Sequence, residues 1–347
     1  MLGFDRRAAS YTFTTAMVLL LLWLVYVVRA TLFVFILALL LAYLLSPLVN
    51  LLDRVLKGRT RTPALALAYV IFVGAAALLI IEVGSDVVAQ ANTLAKTLPQ
   101  MLATWQQPSP HATPEINSLK DELLGRLRTE VAKRSTDLVA ALPEFGLKFL
   151  TVASEVVYIV IIPILAFFFL KDAHAMRDHL VEFVDQGPRR ELLEELMADV
   201  NLLLAHYMRA LVGLCLTAFT ADAIFFSAMG VPYSVLLAAI AGILEFIPMI
   251  GPLAAAVIVL LVAGLSGSHV LAVLIFLIVF RILQDYVVAP HLMGHGVELH
   301  PLLVLFGVFA GAEIAGIAGT FLSVPVLALV RVIYVRLRKA RLTSRLA

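Results

Sequence analysis

The sequence predicts an all-α, polytopic membrane protein with about eight transmembrane segments, two of them broken or re-entrant, and amphipathic helices outside the bilayer. Three observations carry that prediction. The 347 residues are 62% hydrophobic and only 14% charged, where a soluble domain is nearer half apolar and a quarter charged. The mean hydropathy is +1.00. Runs of roughly 20 apolar residues, the length that spans a bilayer core, recur at about 11–28, 31–50, 63–82, 149–170, 207–229, 232–263, 268–289 and 301–335. Two of these runs are interrupted by helix breakers beside a single carboxylate: EFIPMIGP at 245–252 with Glu245, and GAEIAGIAG at 311–319 with Glu313.

Residues 1–82 hold segments one to three. No small-residue cleavage site follows the first run, so it reads as a retained helix rather than a signal peptide. Arg29 and Thr31 leave almost no loop before the second run, which predicts a tight helical hairpin. Residues 83–148 form amphipathic helices outside the membrane. Val87, Ala91, Leu94, Leu98, Met101 and Trp105 recur at helical spacing, the loop QQPSPHATP at 106–114 ends that helix, and a second follows at about 115–142. Residues 149–170 make segment four. Residues 171–206 read as a cytoplasmic helical pair split at Gly187-Pro188, with Leu192, Leu196, Val200 and Leu203 along the second half. Residues 207–335 hold segments five to eight, and 336–347 a basic tail.

Basic residues set the orientation. Arg6 and Arg7, the short loop with Arg54, Lys57, Arg59 and Arg61, and the tail with Arg336, Arg338, Lys339, Arg341 and Arg345 all fall inside by the positive-inside rule. Eight crossings put both termini in the cytoplasm; seven do not. The net charge of +2 is too small to suggest nucleic acid. The single Cys215 excludes an intrachain disulfide framework.

The candidate pathway is built from polar residues and breakers at bilayer depth, which are costly unless they line a cavity. Pro248 and Pro252 remove helix hydrogen bonds, and Gly251 permits backbone forbidden to other residues. The freed carbonyls and amides can bind a cation or a ligand's hydroxyls; a proline kink that only shapes packing is the plainer alternative. Arg281 and Asp285, spaced i,i+4, can pair on one helix face, either as a self-satisfied pair or with Arg281 bridging to Glu245 or Glu313. Gln284 lies one step away. Asp222, deep in 207–229, is a proton or cation site or faces a watery cavity. Gly307, Gly311, Ala315 and Gly319 recur every four positions as packing notches. The connection APHLMGHGVELHP at 289–301 carries His291, His295, His300 and Glu298, but no HExxH pattern, so zinc is not expected. No phosphate-binding Gly loop occurs, so neither direct ATP drive nor any resident cofactor is expected.

A weak internal repeat links the breaks: a shift of 68 residues takes Glu245 to Glu313, Gly251 to Gly319 and Leu253 to Phe321. Read as full crossings, the units 207–263 and 268–335 are parallel repeats; re-entrant hairpins would change the count.

At these residues the chain resembles the autoinducer-2 exporter family. The likeness covers most of the chain and rests on FFFLKD at 167–172, GVPYSVLLAAIAGILEFIPMIGP at 230–252, QDYVVAP at 284–290, HPLLVLFGVFAG at 300–311, and GIAGTFLSVP at 316–325, which includes Gly316 and Gly319. Where that family often has Gly after the Arg opening segment five, Ala210 follows Arg209 here. The resemblance implies an oligomeric bacterial inner-membrane transporter, with pentamers expected. It also implies export of a small polar signalling molecule in some members and sodium or lithium/proton antiport in others. The leading expectation is therefore a secondary transporter whose coupling ion, if any, is H+ or Na+. An antiporter using the same acids is the alternative, and an assembly factor working through residues 83–148 the alternative of another class. No nucleophile–base pair points to an enzyme.

Overall fold

The structure is a computed structural model and describes residues 6–56, 60–105, 156–293 and 299–346. Among the described residues every regular element is helical. The elements are α1 (Arg6–Val27), α2 (Arg29–Leu56), α3 (Thr62–Trp105), α4 (Val156–Glu182), α5 (Pro188–Ala228), α6 (Ser234–Leu244), α7 (Ile250–Leu265), α8 (Val270–Leu283) continued by a π-helical turn (Gln284–Val288), α9 (Ala289–Met293) and α10 (Pro301–Leu346). Among the described residues six helices are long and apolar enough, by length and composition, to cross a membrane, as a polytopic membrane protein requires.

Several expected boundaries shift. The predicted α1–α2 hairpin does not form. The hydrogen-bond ladder continues through the joint, with the Val28 amide donating to Leu24 O at 3.0 Å and the Leu32 amide to Val28 O at 2.9 Å. The described side chains of α1 are exposed throughout. The joint Val28-Arg29-Ala30-Thr31 contains no Gly or Pro, so nothing forces a reversal.

Helix α3 does not stop at residue 82 but runs for 44 residues, about 66 Å at 1.5 Å per residue. The expected amphipathic helix is thus the outer half of α3, and its apolar stripe is used. Ala91 and Leu94 are buried against Leu236, Leu237 and Val259. The second amphipathic helix, at 115–142, lies outside the described residues. The helical pair expected at 171–206 is likewise fused to its neighbours, forming the end of α4 and the beginning of α5. The break between them falls where Gly187-Pro188 predicts it, with Gly187 at φ 141° and Pro188 opening α5.

The two broken segments are helical hairpins. In the first, Leu236 and Leu237 of α6 share a buried cluster with Val259, Val262 and Ala263 of α7, so the arms lie side by side. These arms have 11 and 16 residues, about 16 and 24 Å, short of a bilayer core of about 30 Å. In the second, α10 is non-helical at Ala315 and Gly316. The Gly311 and Gly319 backbones there are in direct contact, and Gly307 faces Ser323 and Leu327. Residues 307 and 327 would be about 30 Å apart in a straight helix; they touch because the chain folds back. The every-fourth small residues are therefore notches between the two arms of one hairpin.

Helix α5 is the spine between the hairpins. Gly242 of the first sits on Cys215 and Phe219 of α5. Ala328 of the second is buried with Leu204, Met208 and Leu211 of α5 and Leu40 of α2. A third cluster, built on Ala38, Leu45, Leu65 and Ala166, ties α2, α3 and α4 together.

Candidate functional site

The tip of the first hairpin explains its sequence residue by residue. Helix α6 ends at Leu244, and the next amides tighten into short-range bonds, Phe246 N–H to Ile243 O at 3.1 Å and Ile247 N–H to Leu244 O at 2.9 Å. Pro248 then stops the ladder, and Met249 takes a left-handed φ of 65°, a conformation rarely adopted without Gly and one that concentrates at functional sites. Gly251 is required by space: a Cβ there would overlap the Leu244 carbonyl. Pro252 does not repeat the break as its sequence position suggests. It lies in the first turn of α7, where its missing N–H had no intrahelical partner to lose.

This tip delivers Glu245 to α8. Glu245 is 9% exposed, and its Oε1 accepts a hydrogen bond from Arg281 Nη1 at 3.3 Å. Arg281 also grips Asp285 in a two-pronged pair, Nε to Oδ2 at 2.9 Å and Nη2 to Oδ1 at 2.6 Å. Both alternatives left open by the spacing are thus realised at once: Arg281 pairs along its own helix and bridges to the hairpin tip. The π-helical turn begins immediately at Gln284. Such turns often mark functional sites in helices, and nothing in QDYVV announces one.

Behind the tip lies a cavity of about 380 Å³, within the size range of small-molecule sites. Its polar end is formed by Asp222, Glu245, Arg281, Gln284 and Asp285. The rest of the wall is apolar, with Met249, Pro252, Leu260, Leu274, Leu277 and Phe280. Asp222 and Gln284 are each 3% exposed. Among the described residues, Asp222 Oδ1 and Gln284 Nε2 are buried with no hydrogen-bond partner. Unsatisfied buried polar atoms are costly and rare in native proteins, so two at one cavity single it out as the candidate site.

Of the sequence-predicted site residues, the structure brings Asp222, Glu245, Pro252, Arg281, Gln284 and Asp285 to one cavity; Pro248 and Gly251 shape its tip. It does not bring Glu313, Gly316 or Gly319 there. Glu313 is exposed one turn before the second tip, and no ion pair to it is formed among the described residues. Gly316, at φ 59°, makes the turn, and Gly319 makes the notch. The tips do meet through aromatic rings: Phe246, next to Glu245, lies 5.7 Å from Phe321 of the second hairpin. His295 and Glu298 lie outside the described residues, while the His291 ring Nδ1 is 2.7 Å from Val287 O.

Sequence reasoning missed several contacts. Gln90 Oε1 accepts the Leu236 amide at 2.9 Å at the first turn of α6. Thr97 Oγ1 lies 2.7 Å from the Tyr233 hydroxyl, so outer α3 fastens the base of the first hairpin. On the tail side, Arg336 holds Asp199 in a two-pronged pair, Nη2 to Oδ1 at 2.8 Å and Nε to Oδ2 at 2.5 Å. It also reaches Glu195 at 2.5 Å. Tyr43 hydrogen-bonds Asn201. No local sequence pattern names these partners.

A family model described as AI-2E family transporter matches residues 14–339. The chain belongs to the AI-2E transporter family. Among curated proteins it is similar to YrrI of Bacillus subtilis (strain 168), named as a candidate transport protein. The two are 25% identical over 307 residues, 88% of this chain and 86% of that one. YueF of the same strain, also named as a candidate transport protein, is 27% identical over 88% of this chain and 84% of its own length. PerM of Escherichia coli (strain K12), named as a candidate permease, is 25% identical over 85% of this chain and 84% of its own. AI-2E membership and the six long apolar helices together establish a membrane-embedded protein of a transport family.

Proposed function

We propose that this protein is a secondary transporter that exports a small polar solute across the bacterial inner membrane by alternating access. Autoinducer-2 is the solute that the family resemblance implies. One observation carries the proposal: a re-entrant hairpin tip presents a buried acid, Glu245, to a basic partner and to a cavity. Irregular backbone and ionisable groups at bilayer depth are tolerated where they line a cavity, and broken helices at the midplane are a recurring form of transport site.

The hairpins support a particular topology. With the 54–61 loop and the C-terminal tail on the cytoplasmic side, α3, α4, α5 and α8 cross in turn. The first hairpin then enters from outside and returns outside, and the second does the same from the cytoplasm. The units α5–hairpin one and α8–hairpin two are then inverted repeats, with tips meeting near the midplane at Phe246 and Phe321. Rocking of one unit against the other opens the cavity alternately. Outer α3 is packed on the first hairpin, which favours a positioning role in transport over an independent partner-binding arm.

Uphill efflux in reconstituted vesicles, across a panel of solutes and with imposed proton and sodium gradients, tests the proposal. Glu245→Gln abolishes efflux while the protein remains folded; unchanged efflux would overturn the assignment. A second reading, a sodium or lithium/proton antiporter, is favoured by one observation, the buried unpartnered Oδ1 of Asp222. It requires sodium-dependent proton flux in vesicles without solute. The family resemblance also carries assembly as a homo-oligomer, five copies being the expectation, which light scattering of the purified protein measures.

A further inference from the structure

The cavity supplies one half of a route across the membrane, and the same face of α5 continues into the other half. The inference rests on the transport reading and its topology. On a helix of 3.6 residues per turn, Tyr207, Leu211, Cys215, Ala218 and Asp222 fall within an arc of about 80°, along about 22 Å of α5. The outer end of that face, Ala218 and Asp222, is cavity wall. Its inner end is covered. Tyr207, Leu211 and Cys215 are buried in one cluster with Phe246 of the first tip and with Phe321, Leu322 and Val324 of the second hairpin.

Two observations separate this seam from ordinary packing. The Tyr207 hydroxyl is buried in it with no hydrogen-bond partner. Phe would fill the same space without that cost, whereas a seam that opens gives the hydroxyl water or a polar solute to bond. The two hairpins are also held differently. The first is fitted to α5 at Gly242, where a Cβ would lie 3.1 Å from the Cys215 carbonyl oxygen, and its base is fastened by Gln90 and Thr97. The second lies on the seam through apolar side chains, and its ion pairs to α5, at Arg336, are about 22 Å of helix away from Phe321. The second hairpin is therefore the one built to lift at its tip.

We propose that the inner half of the solute's route runs along the Tyr207–Cys215 face of α5, that the second hairpin is the gate covering it, and that the Tyr207 hydroxyl is a hydrogen-bonding group of the route once the gate lifts. Cys215 is wall there, and its thiol holds nothing.

Cys215 is the single cysteine of the chain, so the gate can be read in the wild-type, full-length protein. A sulfonated maleimide, which does not cross lipid, is added to reconstituted vesicles sorted by whether the C-terminal tail faces the medium. Cys215 is labelled from the face that carries the tail, and about 10-fold more slowly or not at all from the other. Tyr207→Phe removes a hydroxyl that the closed seam leaves unpaired, so it favours closure. Labelling then slows about 5-fold, while the thermal unfolding midpoint is unchanged or raised. A Tyr207 that served packing alone would do the opposite, lowering the midpoint and speeding labelling. Labelling from neither face or equally from both, or labelling that is unchanged or faster in Tyr207→Phe, overturns the inference. Efflux of autoinducer-2 from the same vesicles is measured separately. One-sided, Tyr207-dependent labelling without Glu245-dependent efflux overturns the transport reading and leaves the gate standing. Glu245-dependent efflux, with Cys215 unreactive from either face, does the reverse.

Discussion

The two hairpins share a plan and differ in chemistry. Each has an acid at or just before its tip, glycines at the turn and arms packed side by side. In the first the acid is 9% exposed and held by a guanidinium from another helix. In the second Glu313 is exposed, and the tight contacts are glycine against glycine. The first tip is strained at Met249 and crowded at Gly251; the second turns on Gly316, where a Cβ would meet nothing within 4 Å. A repeated motif therefore does not make a repeated site. The surroundings give the first tip a buried acid, a basic partner and a cavity, and leave the second tip exposed, meeting the first through Phe321.

The largest effect should come from joining the tips. In a Cys215→Ala background, Phe246→Cys and Phe321→Cys linked by a bifunctional thiol reagent stop vesicle transport, and reversal of the link restores it. Full transport by the linked protein would break the picture of two tips that part. Next is the contrast between turns. Gly251→Ala drives a Cβ into the Leu244 carbonyl and destabilises the protein by about 3 kcal/mol. Gly316→Ala keeps its space and costs about 2 kcal/mol, because φ 59° with ψ −138° is backbone that essentially only Gly adopts. Thermal unfolding in detergent measures both, and equal losses would erase the distinction.

Arg281→Met leaves Glu245 buried and unpaired. It costs about 2 kcal/mol, below the 3–5 kcal/mol of a fully buried pair because Arg281 is partly exposed. Adding Glu245→Gln recovers much of that loss, and a strictly additive double variant would show that the pair is not coupled. The smallest effect belongs to Arg336→Ala, about 1 kcal/mol from an ion-pair cluster at the edge of the fold, with transport retained.

The sequence made the membrane setting legible because apolar length is a local quantity, and both breaks were legible because Pro and Gly act on their own backbone. The fold-back of each hairpin was not. A broken helix that crosses and one that returns share composition, and only contacts such as Gly311 on Gly319 separate them. Glu245, Arg281 and Asp285 were legible as costly residues at depth, whereas their assembly with Asp222 depends on how α5 packs against α6. The π-helical turn and the Gln90 anchor depend on tertiary partners and carry no local signal. The expected α1–α2 reversal failed for a related reason: adjacent apolar runs without a breaker leave the helix free to continue.

The most direct measurement compares uphill efflux by the wild type and Glu245→Gln in vesicles of matched protein content, with folding verified by thermal unfolding. The account predicts gradient-driven efflux in the wild type and none above empty vesicles in the variant. Equal efflux from both would contradict the claim that the first hairpin tip is the transport site.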